Sequence, residues 1–188
     1  LADAVRRSGS GAWSDDLLKG VYPLIYVDAL DAAADRHRLD PALVAAIIRR
    51  ESQFDREVAS PAGAVGLMQV LPRTGAELAR RSGISGFEAT QLKVAEVNLA
   101  LGTLYLRELL DRNSGSLAPA LISYNAGPHR YARWRDFPEF SADAELMVER
   151  IPFRETRVYV KTITAYRHIY RRLWGLGIDP VDDPPADR

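Results

Sequence analysis

The sequence contains no cysteine among its 188 residues, which removes thiolate nucleophiles, thiolate metal sites and disulfide staples together. It also lacks a charge bias: 25 lysines and arginines balance 25 aspartates and glutamates, so no net field draws it toward nucleic acid or an anionic membrane. A neutral polymer is the kind of partner such a surface leaves open. No apolar run approaches the ~20 residues that span a bilayer, and no charged-then-apolar leader is seen, so the chain reads as a mature protein or an excised fragment. Alternating strand-like runs joined by Asn-Gly turns are missing as well. The three histidines, His37, His129 and His168, are scattered and match no ligand spacing, so neither a metal nor another cofactor is expected.

What is present points to helices. Hydrophobic residues make up 47% of the chain, enough at this length for one core without covalent staples, and they recur three and four apart. The spacing predicts an all-α fold with helices over about 26–38, 41–52, from Pro72, from Thr90 to Arg112, over 117–124 and over 155–173. Asp40-Pro41 supplies an N-cap with proline at the first helical position, whereas Gly127 and Pro128 stop the fifth segment, 117–124. Residues 60–66, Ser-Pro-Ala-Gly-Ala-Val-Gly, hold too many breakers for a helix and read as a loop. Residues 1–20 read as a linker or the remnant of an N-terminal helical region, 21–175 as the folded domain, and 176–188 as a loose Pro/Asp-rich tail.

Chemistry concentrates on the second helix. Leu43, Ile47 and Glu51 lie four apart and share a face, and Val44 and Ile48 widen the apolar stripe, so Glu51 extends a core-facing row at the helix C-terminus. Desolvation and the negative end of a helix dipole both disfavour its anion, which suits a general acid. Spacing alone equally allows Glu51 to pair with Arg49, Arg50 or Arg56, or to cap the following loop. Arg130, Arg133 and Arg135 stand among Tyr131 and Trp134, but Asp136 and Glu139 follow at once, so this cluster reads as a solvated face or groove rim and not as a nucleic-acid site.

Four ordered blocks decide between these readings: Glu51-Ser52-Gln53-Phe54 with Ser60-Pro61, Gly63-Ala64 and Gly66-Leu67-Met68-Gln69; Asn98, Gly102, Tyr105 and Leu106; Tyr124-Asn125-Ala126-Gly127-Pro128; and residues 149–160, from Glu149-Arg150-Ile151-Pro152 to Tyr159-Val160. Together they resemble the soluble lytic transglycosylase family. The resemblance implies a lysozyme-like helical domain with a groove for peptidoglycan glycan strands, an envelope or periplasmic location, and cell-wall or secretion-machinery proteins as candidate partners. It places the catalytic glutamate on Glu51. Ser60 matches a loop serine near that carboxyl, Gln69 a residue that contacts sugar, and Tyr124 a tyrosine whose hydroxyl approaches the glutamate. Asn125 shares the Tyr124 motif, Glu155 matches a second acidic residue, and Tyr159 matches a tyrosine lining the groove. Met68 belongs to the same set, although its chemistry also suits a gap-filling core side chain, as Asn98 suits a bonded polar residue inside the bundle.

Two positions depart from the family pattern. Leu71 stands where some members carry a methionine, and Asp55-Arg56 where relatives often have Asn-Pro. The family reaction is cleavage of the MurNAc-GlcNAc β-1,4 bond with 1,6-anhydromuramyl ends. A hydrolytic lysozyme-like muramidase, which needs a second carboxylate such as Asp55 or Glu155, and a non-catalytic peptidoglycan-binding module are the alternatives.

Overall fold

The computed structural model describes residues 14–137, 140 and 144–176, so residues 1–13 and the tail from 177 onward lie outside the described residues. Its elements are α1 (Asp15–Val21), α2 (Val27–His37), α3 (Pro41–Glu51), α4 (Pro72–Arg81), a 3-10 turn (Ala89–Lys93), α5 (Ala95–Arg112), α6 (Leu117–Ala126), α7 (Pro128–Trp134), α8 (Ala144–Glu149) and α9 (Arg154–Trp174). Among the described residues there is no named strand and no helix long and apolar enough to cross a membrane.

Helix α3 is the centre of the core. Every residue from Ala42 to Ile48 is buried, so this helix has no solvent face along its middle and must be enclosed by others. It packs chiefly on α9 and also on α2, while α5 joins α2, α4 and α6. The stripe of α9 that makes the contact, Thr156, Tyr159, Val160, Ile163, Tyr170 and Leu173, follows helical spacing. Asp40 starts α3 by accepting from the Ala42 amide at 2.9 Å, and its other carboxylate oxygen takes Arg167 and Arg171 of α9. The far end of α9 is tied to the segment before α2 by Tyr170 Oη to the Pro23 carbonyl and Trp174 Nε1 to the Tyr22 carbonyl, both at 3.0 Å.

The loop from Ser52 to Leu71 is irregular but not loose. Its only ladder consists of isolated antiparallel bridges, Ala59 with Val65 and Val65 with Val70. Asn98 of α5 fastens it from below: its Oδ1 accepts from the Met68 amide at 2.8 Å, and its Nδ2 donates to the Val65 and Leu92 carbonyls at 2.9 and 2.7 Å. This fully buried amide therefore uses its acceptor and both donors.

Three elements differ from the sequence expectation. The long helix expected from Thr90 starts as a 3-10 turn, breaks at Val94 in extended backbone and restarts at Ala95. The Leu92 carbonyl that a continuous helix would use internally is taken by the Asn98 side chain. Gly127, at φ 93, does end α6, but Pro128 then serves as the first residue of α7. That short helix has no counterpart among the expected segments; its Arg130, Arg133 and Arg135 are exposed, as a solvated face requires, while Trp134 turns into the core.

Gly63 and Gly66 have nearly equal positive φ, 81 and 79, yet different surroundings. A Cβ at Gly63 meets open space, so Gly63→Ala is expected to cost about 1 kcal/mol for left-handed backbone alone. A Cβ at Gly66 would lie 2.2 Å from the Leu92 carbonyl oxygen and 2.3 Å from Asn98 Nδ2. Gly66→Ala is expected to cost at least ~2 kcal/mol more, because it displaces the bonded amide. Urea midpoints of the two variants compare them directly, and equal costs would show that Asn98 does not hold the loop rigidly.

Candidate active site

Helix α3 ends on Glu51, one turn beyond the fully buried Ile47, and the side chain is half out of water. Burial pushes its carboxyl above the usual range. The Tyr159 hydrogen bond and the Arg50 charge oppose that shift, and the Glu155 charge adds to it, leaving the net direction upward. Tyr159 donates its hydroxyl to Glu51 Oε1 at 2.7 Å. Its own ionisation is pushed well above the phenol range by burial and by the neighbouring Glu51 charge, so it stays a donor throughout the accessible pH range. The Arg50 guanidinium stands 5.8 Å from the same ring.

The chain turns sharply after Glu51 because Gln53 and Phe54 both adopt left-handed backbone, φ 54 and 68. Ser52 makes that turn affordable to a non-glycine pair. Its buried hydroxyl faces the Ile48 and Leu67 carbonyls at 3.1 and 2.9 Å and accepts from the Phe54 amide at 3.2 Å. The end of the acid-bearing helix is thus joined to the loop that follows it.

Each of the expected loop residues makes bonds that narrow what it can do. Gln69, at φ 49, gives its Nε2 to the Val58 and Gly66 carbonyls at 3.2 and 3.0 Å. The Ser60 hydroxyl accepts from the Ala64 amide at 3.0 Å, a turn contact. Met68 has no exposed surface, and its side chain packs where Gly102 of α5 lacks a Cβ. Its thioether is therefore a core group and does not line a groove. What Met68 offers the site is its backbone carbonyl, which accepts from the Tyr124 hydroxyl at 2.7 Å.

Both tyrosines stand close to Glu51 but bond differently. Tyr124 is near enough for the Glu51 charge to raise its ionisation, but its hydrogen bond goes to Met68, and Tyr159 bonds the carboxylate. Tyr159 is also only 1% exposed, so it supports the acid from beneath and does not line a surface. Asn125, which could have capped α6, accepts instead from the Thr156 hydroxyl at 2.7 Å and fixes the start of α9. Glu155, in the first turn of α9, is exposed. Among the described residues no cluster of His, Asp or Glu side chains could hold a metal ion.

Sequence reasoning missed Ser52 and Thr156 as joints of the site. Thr156, Tyr159 and Val160 did carry a signal, since they lie on the buried stripe of α9, and a tyrosine on such a stripe needs an acceptor.

Comparison with known proteins finds relatives over most of the chain. The model of the transglycosylase SLT domain matches residues 28–147, and that of the soluble lytic transglycosylase helical domain matches residues 150–176. The soluble lytic murein transglycosylase of Escherichia coli K12 is 35% identical over 161 residues, covering 85% of this chain and 25% of that protein. A membrane-bound lytic murein transglycosylase C from Actinobacillus pleuropneumoniae is 30% identical over 165 residues, 77% of this chain and 45% of that one. Among solved structures, the 70 kDa soluble lytic transglycosylase of Escherichia coli superposes with a TM-score of 0.80 at 35% identity, over 85% of this chain and 26% of that chain. The Pseudomonas aeruginosa lytic transglycosylase Slt, solved as an inactive mutant, superposes with a TM-score of 0.79 at 32% identity, over 92% and 27%. The Escherichia coli enzyme has also been solved with bulgecin A. This chain spans about a quarter of the length of the soluble relatives it matches. The fold is all-α and lysozyme-like, and the chain belongs to the family of the transglycosylase SLT domain.

Proposed function

We propose that this domain cleaves the MurNAc-GlcNAc β-1,4 bond of peptidoglycan as a lytic transglycosylase in the bacterial envelope, with Glu51 as its acid and base. The observation that carries the reading is the state of Glu51: a half-buried carboxyl, raised in pKa by desolvation and steered by the hydroxyl of a tyrosine whose own ionisation burial pushes well above the phenol range. A carboxyl so placed holds its proton nearer to neutral pH than an exposed one and can return to the anion without losing its position. The names of the relatives, murein transglycosylases, support the substrate class.

The reaction divides among few groups. Glu51 gives its proton to the glycosidic oxygen as the bond to the anomeric carbon breaks, and the sugar's N-acetyl group stabilises the developing cation. Glu51, now the anion held by Tyr159, takes the proton of the C6 hydroxyl, whose oxygen closes on the anomeric carbon. Because that hydroxyl is tethered, its effective concentration exceeds that of bulk water in a groove that aligns it. Tyr124 and Gln69 hold the geometry. The Gln69 amide nitrogen donates to two loop carbonyls, which leaves its Oε1 for any sugar contact. Glu155 supplies charge at the rim, and the Asn125–Thr156 bond positions it.

Glu51→Gln is expected to lower peptidoglycan turnover by orders of magnitude while the fold persists, because the amide keeps size and loses the proton. Raised folded-state ionisation means that stability falls as pH rises from the unfolded pKa through the folded one. The variant should therefore melt at or above the parent temperature at pH 7, with the difference vanishing in acid. A turnover within a few-fold of the parent would remove Glu51 from its role.

An acid works below its pKa, so the basic limb of the pH–rate profile follows Glu51. Tyr159→Phe deletes a bond that favours the anion and is expected to move that limb up by about one pH unit, with a lower rate. Glu155→Gln removes a charge that disfavours the anion and is expected to move it down. Shifts of the opposite sign in turnover measured across pH would overturn this account of the acid.

Ring closure takes no oxygen from solvent. Digestion in isotopically labelled water is expected to leave new muramyl ends unlabelled and one water lighter than hydrolytic ends by mass spectrometry. Labelled ends would make the enzyme a muramidase using Glu155 or another carboxylate to deliver water.

A further inference from the structure

At the end of α3 opposite Glu51, about 15 Å away for eleven residues at ~1.5 Å each, lies a cavity of about 260 Å3. Arg38, Arg107 and Arg167 surround it above an apolar floor of Leu39, Leu43 and Leu110. Asp40 also lines it, but its carboxylate is already committed. One oxygen accepts from the Ala42 amide, and the other takes both Arg167 and Arg171. Arg107 gives Nη2 to Asp111 at 2.7 Å, while its Nε is closed off from solvent without an acceptor among the described residues. Arg38 is exposed at the left-handed end of α2, with no side-chain bond or ion pair among the described residues. Among the described residues Arg38, without an acid partner, and Arg107, facing only Asp111, thus bring an excess of positive charge to a partly enclosed space. None of these groups belongs to the glycan site.

We propose that this cavity binds a compact oxyanion of the carboxylate or phosphate class, held by the guanidiniums of Arg38 and Arg107. The forked N–H donors of arginine match such groups in pairs of bonds, and reduced water contact strengthens the attraction. The volume exceeds several times the ~30 Å3 share of one water, so it admits a single oxyanion with its remaining waters and no large body. Guanidiniums do not titrate near neutrality, so the protein side of the site is always charged.

The test is titration of the domain at fixed pH and ionic strength with inorganic phosphate and, separately, with acetate, using chloride as the control. Amide resonances of Arg38, Leu39 and Gly115 are expected to shift saturably with at least one of the two, and the salt that saturates identifies the class. Arg38→Gln and Arg107→Gln are each expected to weaken binding about tenfold or more. Arg38 is exposed and supports no other group, so its variant reads the site even where the Arg107 variant disturbs folding. Glu51→Gln leaves this binding unchanged, which separates failure here from failure of the glycan-cleaving reading. Shifts that stay linear with both salts, or an unaltered midpoint in Arg38→Gln, overturn the site and leave a water-filled cavity.

Discussion

A helix whose middle seven residues are all buried needs neighbours on every side and a polar device at each end. In α3 both devices are supplied by α9, which runs antiparallel to it. Arg167 and Arg171 take the Asp40 carboxylate at the start, and Tyr159 takes the Glu51 carboxylate at the finish. The two carboxylates bracket an apolar segment that could otherwise rotate or slide, so the position of the reactive group is set by packing along the whole helix. The difference between the ends is informative. Asp40 meets two cations and three elements of charge-assisted bonding, as suits a structural ion pair. Glu51 meets one neutral hydroxyl and a more distant arginine, which leaves its proton available.

That availability opposes stability. Burial disfavours the Glu51 anion more than Tyr159 and Arg50 favour it, so folding makes this carboxyl harder to ionise. The charge of exposed Glu155 adds to that effect. The domain compensates elsewhere with buried amides and hydroxyls that are fully bonded, Asn98, Ser52 and Thr156 among them.

The helices were legible in the sequence wherever periodicity and caps agreed. Asp40-Pro41 marked the start of α3, and the four-residue spacing of Leu43, Ile47 and Glu51 placed the acid on the core-facing row at its end. Loop breakers at Gly63 and Gly66 marked the segment that folds over α5. Other features depend on partners that no local pattern names. Gln53, Phe54 and Gln69 adopt backbone usually left to glycine, because Ser52 and the loop carbonyls hold them there. The break at Val94 depends on a side chain four residues ahead taking a helix carbonyl. Which of Tyr124 and Tyr159 bonds the glutamate depends on the Met68 carbonyl, a backbone group invisible to motif reading.

The peptide of Met68 is gripped on both edges, its N–H by Asn98 of α5 and its C=O by Tyr124 of α6. A plane so held cannot rotate without breaking two buried bonds, and its side chain is locked against Gly102 at the same time. The segment leading into Gln69 therefore has little conformational entropy left to lose on binding, and under the proposed glycan-cleaving function a sugar meets it as a finished wall. Recognition at this wall becomes a matter of fit to a finished surface. A rigid sugar mimic of the correct shape would retain nearly all of its intrinsic contact energy there, whereas a flexible one would lose part of it in ordering itself alone.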